Sequence, residues 1–259
     1  PIDGPCTAKL AAELGFDGLQ LDIGAYERGF PLSRDFIQKA YLDAAAQYGI
    51  EYSSMAARVS DYYSMVAEPG EEEHEIVKRG IGKAIHACGK MSIPLLLIPN
   101  FEKSAIKTER HFEIVVDVMK WACDMAVTEG VTITAENTLS VKDTEKLISQ
   151  VDRSNFNIYF DFQNYYLHQD FYTPEILEAL MPHVAELHVK DGKNKELSGA
   201  LLGEGDANFF ESMEVLQKHN YSGWIVSENY YDVPPLCGEE DNPVELIEKD
   251  LATLRKVLT

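Results

Sequence analysis

The sequence predicts a (β/α)8 TIM barrel whose first strand is missing or poorly formed, and three observations carry that reading. Helical and strand-like segments alternate along the whole chain, with short connections and no linker. Four of the strand-like segments end in a carboxylate or carry a histidine on one face, which is where barrels of this class place their chemistry. No glycine-rich nucleotide turn follows the first strand, as a doubly wound open sheet would normally show. A length of 259 residues suits one such barrel, so 1–259 is read as a single domain able to bury a sizeable core.

The elements follow in order. A turn-rich stretch at 1–7 leads into a helix over 7–14 that Gly15 stops. The first clear strand is 17–23, with Leu19, Leu21 and Ile23 opposite Gln20 and Asp22. An amphipathic helix over 35–48 ends at Gly49, and a strand over 51–57 follows. The loop 58–70 is long and carries Tyr62 and Tyr63. The helix over 71–88 contains Gly80 and Gly82 as weak points. A continuous apolar run makes 93–100 a buried parallel strand. A long helix over 108–129 is N-capped by Thr108 and closed by Gly130. Strands ending at Glu136 and Asp161 flank a helix over 142–151. Pro174 fits the first turn of the next helix, and Pro182 ends it. The strand 184–189 carries His188, and a Gly/Lys-rich loop over 192–206 follows it. A helix over 208–219, a strand ending at Glu228 and a last helix over 243–258 complete the chain. This gives eight helices but seven strands. The segment 1–6 would be a poor substitute for the eighth.

Composition excludes several classes. The formal net charge is −20, which repels phosphate backbones and argues against nucleic-acid binding. The longest apolar run, 93–98, is far too short to span a membrane. No secretory signal pattern opens the sequence. Cys6, Cys88, Cys123 and Cys237 are scattered, without a C-x-x-C pair, and read as reduced thiols of a cytoplasmic protein.

In the segment 184–191, Ala185, Leu187 and Val189 point one way, and Glu186, His188 and Lys190 the other. In a closed barrel the polar face lines the interior. Glu136, Asp161, His188 and Glu228 then converge from four successive strand ends. The plain alternative needs four buried polar groups, each satisfied separately. Together they make a divalent-metal site. Three carboxylates and one imidazole suit manganese first, with magnesium, cobalt and zinc as alternatives, one ion per chain.

The segments 11–18 (AAELGFDG), 134–137 (TAEN), 187–191 (LHVKD) and 203–206 (GEGD), with Gly223-Trp224 before the last strand, resemble the sugar phosphate isomerase/epimerase group of the xylose-isomerase-like TIM-barrel superfamily. The likeness runs over nearly the whole chain. It implies that Glu136, Asp161, His188 and Glu228 are metal ligands, with Glu136 and Glu228 also exchanging protons with the substrate carbon. It places Glu186 where some members carry a second histidine. Asn164 stands in a D-x-x-N variant of the common D-x-x-H pattern, where a substrate-binding histidine often sits, and Gln20 stands where the family often has Glu. Lys190, Lys193 and Lys195 are the candidates for a basic substrate contact.

The chemistry of the residues agrees. A hydroxy-ketone chelated by the ion loses an adjacent C–H proton to a carboxylate, and the ion stabilises the ene-diolate. Glu136 and Glu228, from non-neighbouring strands, could address opposite faces of that carbon and epimerise it. One base moving the proton to the next carbon gives isomerisation, and loss of a β-hydroxyl gives a lyase of the inosose-dehydratase or eliminase type. The expected partner is a small sugar, with no nucleic acid and no membrane, and a barrel of this kind allows a homo-oligomer. Asn164, Glu186, Lys190 and His168 are the expected substrate contacts, with an ion pair from Lys190 to Asp191 or Glu186 as the alternative for that lysine. Asn137 and Asn229 alternate away from the ligands and should brace loops. The GEGD run reads as a tight loop, since Glu204 and Asp206 would repel phosphate.

Overall fold

The structure is a computed structural model that describes residues 4–240 and 242–258. In chain order it contains α1 (Thr7–Leu14), β1 (Gly18–Asp22), α2 (Asp35–Tyr48), β2 (Glu51–Ala56), α3 (Val59–Tyr62), α4 (Glu72–Met91), β3 (Leu95–Pro99), α5 (Glu109–Ala126) and β4 (Thr132–Glu136). There follow α6 (Val141–Val151), β5 (Phe156–Asp161), α7 (Asn164–Gln169), α8 (Thr173–Leu180), β6 (Val184–Val189), α9 (Phe209–Lys218), β7 (Ile225–Ser227) and α10 (Pro243–Leu258). Every strand and long helix expected from sequence is present, with ends moved by up to three residues. Seven strands occur among the described residues. Gly4 to Cys6 form a bend and a turn, and the rest of the expected substitute strand lies outside the described residues.

The chain divides into two compact units. The first comprises Ile2–Asn137 with Asp143–Asn157. In it β1, β2, β3 and β4 pair in sequential order, all parallel. The register of β3 on β4 runs from Leu95 opposite Thr132 to Pro99 opposite Glu136. Parallel strands covered on both faces need apolar side chains throughout, and all five residues of β3 are buried. Thr108 caps α5 as expected, its side chain accepting the His111 N–H. Gly80 has a packing role that sequence does not reveal. A Cβ there would lie 2.7 Å from Val59 Cγ1 and 2.9 Å from the Phe30 ring, so α4 approaches those buried side chains closely. Gly82 has only ordinary contacts, the nearest at 3.7 Å.

The second unit comprises Thr138–Lys142 and Ile158–Thr259. Here β5, β6 and β7 are parallel neighbours, with Asp161 opposite His188 and His188 opposite Val226. Alternation sorts the side chains. Phe160, Leu187 and Val189 join Phe162, Tyr165, Leu177, Phe209 and Leu254 in one apolar cluster. Tyr159, Asp161, Glu186 and His188 occupy the opposite faces of β5 and β6. The register therefore fixes which polar groups meet.

Candidate metal centre

Three of the expected ligands come together in the second unit. Asp161 ends β5, His188 lies on β6 directly across from it, and Glu228 follows the last residue of β7. The Glu228 N–H donates to the Val189 carbonyl at 3.0 Å, which continues the ladder past β7 and sets that carboxylate beside His188. The His188 Nδ1 atom is 3.3 Å from Glu228 Oε2 and 3.7 Å from Asp161 Oδ2. Each residue offers one ligand atom within 4.8 Å of the others. Asp161 and His188 side chains are closed to solvent, whereas the Glu228 side chain is 25% exposed. Buried oxygen and nitrogen donors of this kind, two carboxylates and an imidazole, fit a divalent cation.

Lys190 enters the same cluster. It lies two residues beyond His188, hence on the same face of the chain. Its Nζ is 2.6 Å from Glu228 Oε2 and 2.9 Å from Asp161 Oδ2, and its side chain is 3% exposed. Alongside the substrate contact, the sequence allowed Lys190 an ion pair with Asp191 or Glu186, and the structure gives it pairs with Asp161 and Glu228. Along a strand, same-face residues are about 7 Å apart, but a neighbouring strand is only about 5 Å away. Glu186 lies one step further back on β6 and accepts a hydrogen bond from Tyr159 Oη at 3.1 Å. The Tyr159 ring in turn packs on the His188 imidazole, centroids 4.5 Å apart.

Asp161 has a second task. Its Oδ1 accepts the N–H groups of Gln163 at 2.8 Å and Asn164 at 2.7 Å, at the start of α7. The carboxylate is therefore held by one oxygen while the other faces His188 and Lys190. Gln163, which the sequence reading passed over, ties α7 to the next loop. Its Nε2 donates to the Glu196 carbonyl and its Oε1 accepts the Ser198 N–H.

That loop, 192–206, is organised by Asp191. Oδ1 accepts the N–H groups of Gly192 and Ala207, and Oδ2 those of Gly203 and Gly205, at 2.9 to 3.1 Å. The backbone wraps so closely that a Cβ on Gly205 would lie 2.1 Å from Asp191 Oδ1. Burial raises the Asp191 carboxyl above the ordinary carboxylate range, against the pull of the four N–H groups. Asn229 connects this clasp to α10. Its Oδ1 accepts the Asp191 N–H at 3.1 Å, and its Nδ2 donates to Ala200 O and Asp250 Oδ2. Asp250 also accepts Leu202 N–H and Tyr231 Oη, and its carboxyl too is raised by burial. Asn229 is thus a loop brace that faces away from the ligands, as alternation requires. The GEGD run is a tight loop, its glycine amides closed on a carboxylate of the chain.

The remaining expected residues are placed as follows. In the first unit Glu136 ends β4 and is 3% exposed, and its carbonyl accepts the Asn100 N–H at 2.7 Å. Its neighbour Asn137 accepts a hydrogen bond from Thr144 at 3.3 Å, again as a brace. In the second unit Asn164 is buried at the start of α7 and His168 is exposed near its end. Lys193 lies 3.9 Å from Glu204, and Lys195 pairs with Asp170. Gln20, in the first unit, donates to Ser54 Oγ at 2.9 Å.

Comparison with known proteins bears on this arrangement. The family model described as "Xylose isomerase-like TIM barrel" matches residues 8–257. The chain is 25% identical over 218 residues to 2-epi-5-epi-valiolone 7-phosphate 2-epimerase of Actinoplanes sp., covering 83% of this chain and 77% of that protein. It is 25% identical over 256 residues to L-ribulose-5-phosphate 3-epimerase UlaE of Shigella boydii, covering 93% and 85%. Among solved structures, D-psicose 3-epimerase from Clostridium cellulolyticum H10, solved with D-tagatose, aligns with a TM-score of 0.78 at 17% identity, covering 100% of this chain and 94% of that one. At that identity the last likeness concerns the fold.

Proposed function

The chain belongs to the xylose isomerase-like TIM-barrel family, and on that footing we propose that it is a divalent-metal-dependent isomerase or epimerase of a sugar or sugar derivative. The whole chain is then one barrel domain. Asp161, His188 and Glu228 hold the ion, joined by Glu136 at the end of β4. The observation that carries the reading is the convergence of Asp161, His188 and Glu228 within 4.8 Å in a largely closed setting, which isolated polar residues would not need. Both curated relatives reported above are epimerases of phosphorylated compounds, which supports the reaction class.

Bound there, a divalent ion supplies Lewis acidity, polarising a substrate carbonyl and acidifying the neighbouring C–H. The side chains do the rest. Asp161 and His188 are closed to solvent and fixed by Gln163, Asn164 and Tyr159, so they hold and orient. Glu228, its side chain 25% exposed, is the most open of the three and takes or returns the proton. Glu136 is proposed as the second proton-exchanging carboxylate. Asn164, Glu186, Lys190 and His168 are proposed substrate contacts. Manganese is the proposed ion, and the proposed setting is the cytoplasm.

Two measurements test this. Elemental analysis should find about one divalent ion per chain in wild type and less in His188→Ala and Glu228→Gln. Ketoses and inososes incubated in D2O should take up solvent deuterium next to the carbonyl with wild type and not with Glu228→Gln. An epimer or isomer as product supports the assignment, a dehydrated product shifts it to a lyase, and absence of exchange with metal supplied refutes it.

A further inference from the structure

Asp161 Oδ2 and Glu228 Oε2 are shared by two kinds of nitrogen. The imidazole Nδ1 of His188 lies 3.7 and 3.3 Å from them, and the ammonium of Lys190 lies 2.9 and 2.6 Å from the same two atoms. We infer that Lys190 is a built-in competitor for the divalent ion, an ammonium that holds the two ligand carboxylates together and must yield their oxygens when metal binds. The inference rests on the metal-site reading above and adds to it a residue that sets metal affinity.

Charge and burial carry the argument. Asp161 and Glu228 contribute two negative charges and Lys190 one positive charge within a cluster whose Asp161, His188 and Lys190 side chains are at most 3% exposed. In such a setting like charges repel strongly and an internal cation relieves them. A divalent ion arriving at the same oxygens meets carboxylates whose charge is already offset in part and also meets the repulsion of the ammonium. Lysine suits this role better than arginine. Its charge is a point at the end of four flexible methylenes, so it can leave without its backbone moving. Position supplies the route. Lys190 is the first residue past β6, two beyond His188 on the same face, so a displaced Nζ swings outward along the strand direction and still faces whatever the ion holds.

A purely structural ion pair would behave differently. Its loss would weaken the protein without making the site more receptive to metal. The experiment measures Mn2+ binding by calorimetry, and thermal unfolding midpoints with and without Mn2+, for wild type, Lys190→Met and Lys190→Gln. His188→Ala serves as the ligand-loss control. The expected result is Mn2+ affinity at least tenfold tighter in Lys190→Met and in Lys190→Gln than in wild type. A lower midpoint without Mn2+ and a larger rise on adding it should accompany this. If Lys190→Met fails to fold, Lys190→Gln, which keeps a polar end, decides alone. Affinity equal to or weaker than wild type in the folded variant overturns the inference while leaving the metal site intact. Absence of Mn2+ binding in wild type, with His188→Ala indistinguishable from it, overturns the metal site and the inference together.

Discussion

Replacing Asp191 by asparagine is a sharp perturbation, because the change is isosteric and its cost can be worked from four hydrogen bonds. Both carboxylate oxygens accept two backbone N–H groups each, Gly192 and Ala207 on one, Gly203 and Gly205 on the other. An asparagine keeps one oxygen and sets an NH2 group against the other pair of donors. Two hydrogen bonds to a charged acceptor, about 1.5–3 kcal/mol each, are lost. The variant is spared the burial of an ionised group, which the raised carboxyl shows to be unfavourable. A net destabilisation of about 2–4 kcal/mol is expected, or a fall in Tm of about 5–15 °C for a chain of this size. Urea denaturation at pH 7 measures it, and hydrogen exchange at the Gly203, Gly205 and Ala207 amides localises it. Stability within about 0.5 kcal/mol of wild type, with those amides still protected, would refute the view that Asp191 holds the loop.

Three further predictions follow from the packing and ionisation described above. Gly80→Ala should destabilise, because crowding against Val59 and Phe30 costs about 1–3 kcal/mol and outweighs a helix-propensity gain of about 1 kcal/mol, whereas Gly82→Ala should be neutral or stabilising; chemical denaturation of both variants checks the contrast. Burial pushes the Cys123 thiol up to about 12 and the Cys88 thiol higher still, so a thiol reagent at pH 8 should modify Cys6 and Cys237 in the native protein and reach the other two on unfolding. The Asp250 carboxyl is raised in the folded state, so the native protein binds its proton more tightly than the unfolded chain, and its contribution to stability falls as pH rises above about 4 through the folded pKa. Relative to Asp250→Asn, wild type should therefore lose unfolding free energy over that window, and a difference that is flat or rises with pH contradicts the assignment.

The strands and long helices were legible because their signals are local. Alternation on β6 placed Glu186, His188 and Lys190 on one face, and α10 has the predicted bounds. Helices α3 and α7, four and six residues long, lie where loops were expected, since one turn is too short to show a period. Within the site, His188, Asp161 and Glu228 could be named because each sits at a strand end. The partners of Lys190 could not, because they come from neighbouring strands and their choice depends on register. Nor could the chain of contacts from Asp191 through Asn229 to Asp250, which joins residues far apart in sequence with no motif linking them. Gln163 was hidden for the same reason, its partners being backbone groups of a loop more than thirty residues away.

The clasp at Asp191 has a consequence for how such a chain can change. The loop from Gly192 to Ala207 is anchored at its two ends by one carboxylate and at Ser198 and Glu196 by Gln163, through backbone amides and carbonyls, with the Asp206 and Ser198 side chains as further ties. The exposed residues between those anchors, among them Lys193, Lys195 and Glu204, are free to be exchanged while Lys190 and His188 stay where β6 puts them. The fold thereby separates a strand-held cluster from a replaceable rim, so that, under the proposed function, a new preference for the far end of a substrate could be acquired on the rim alone.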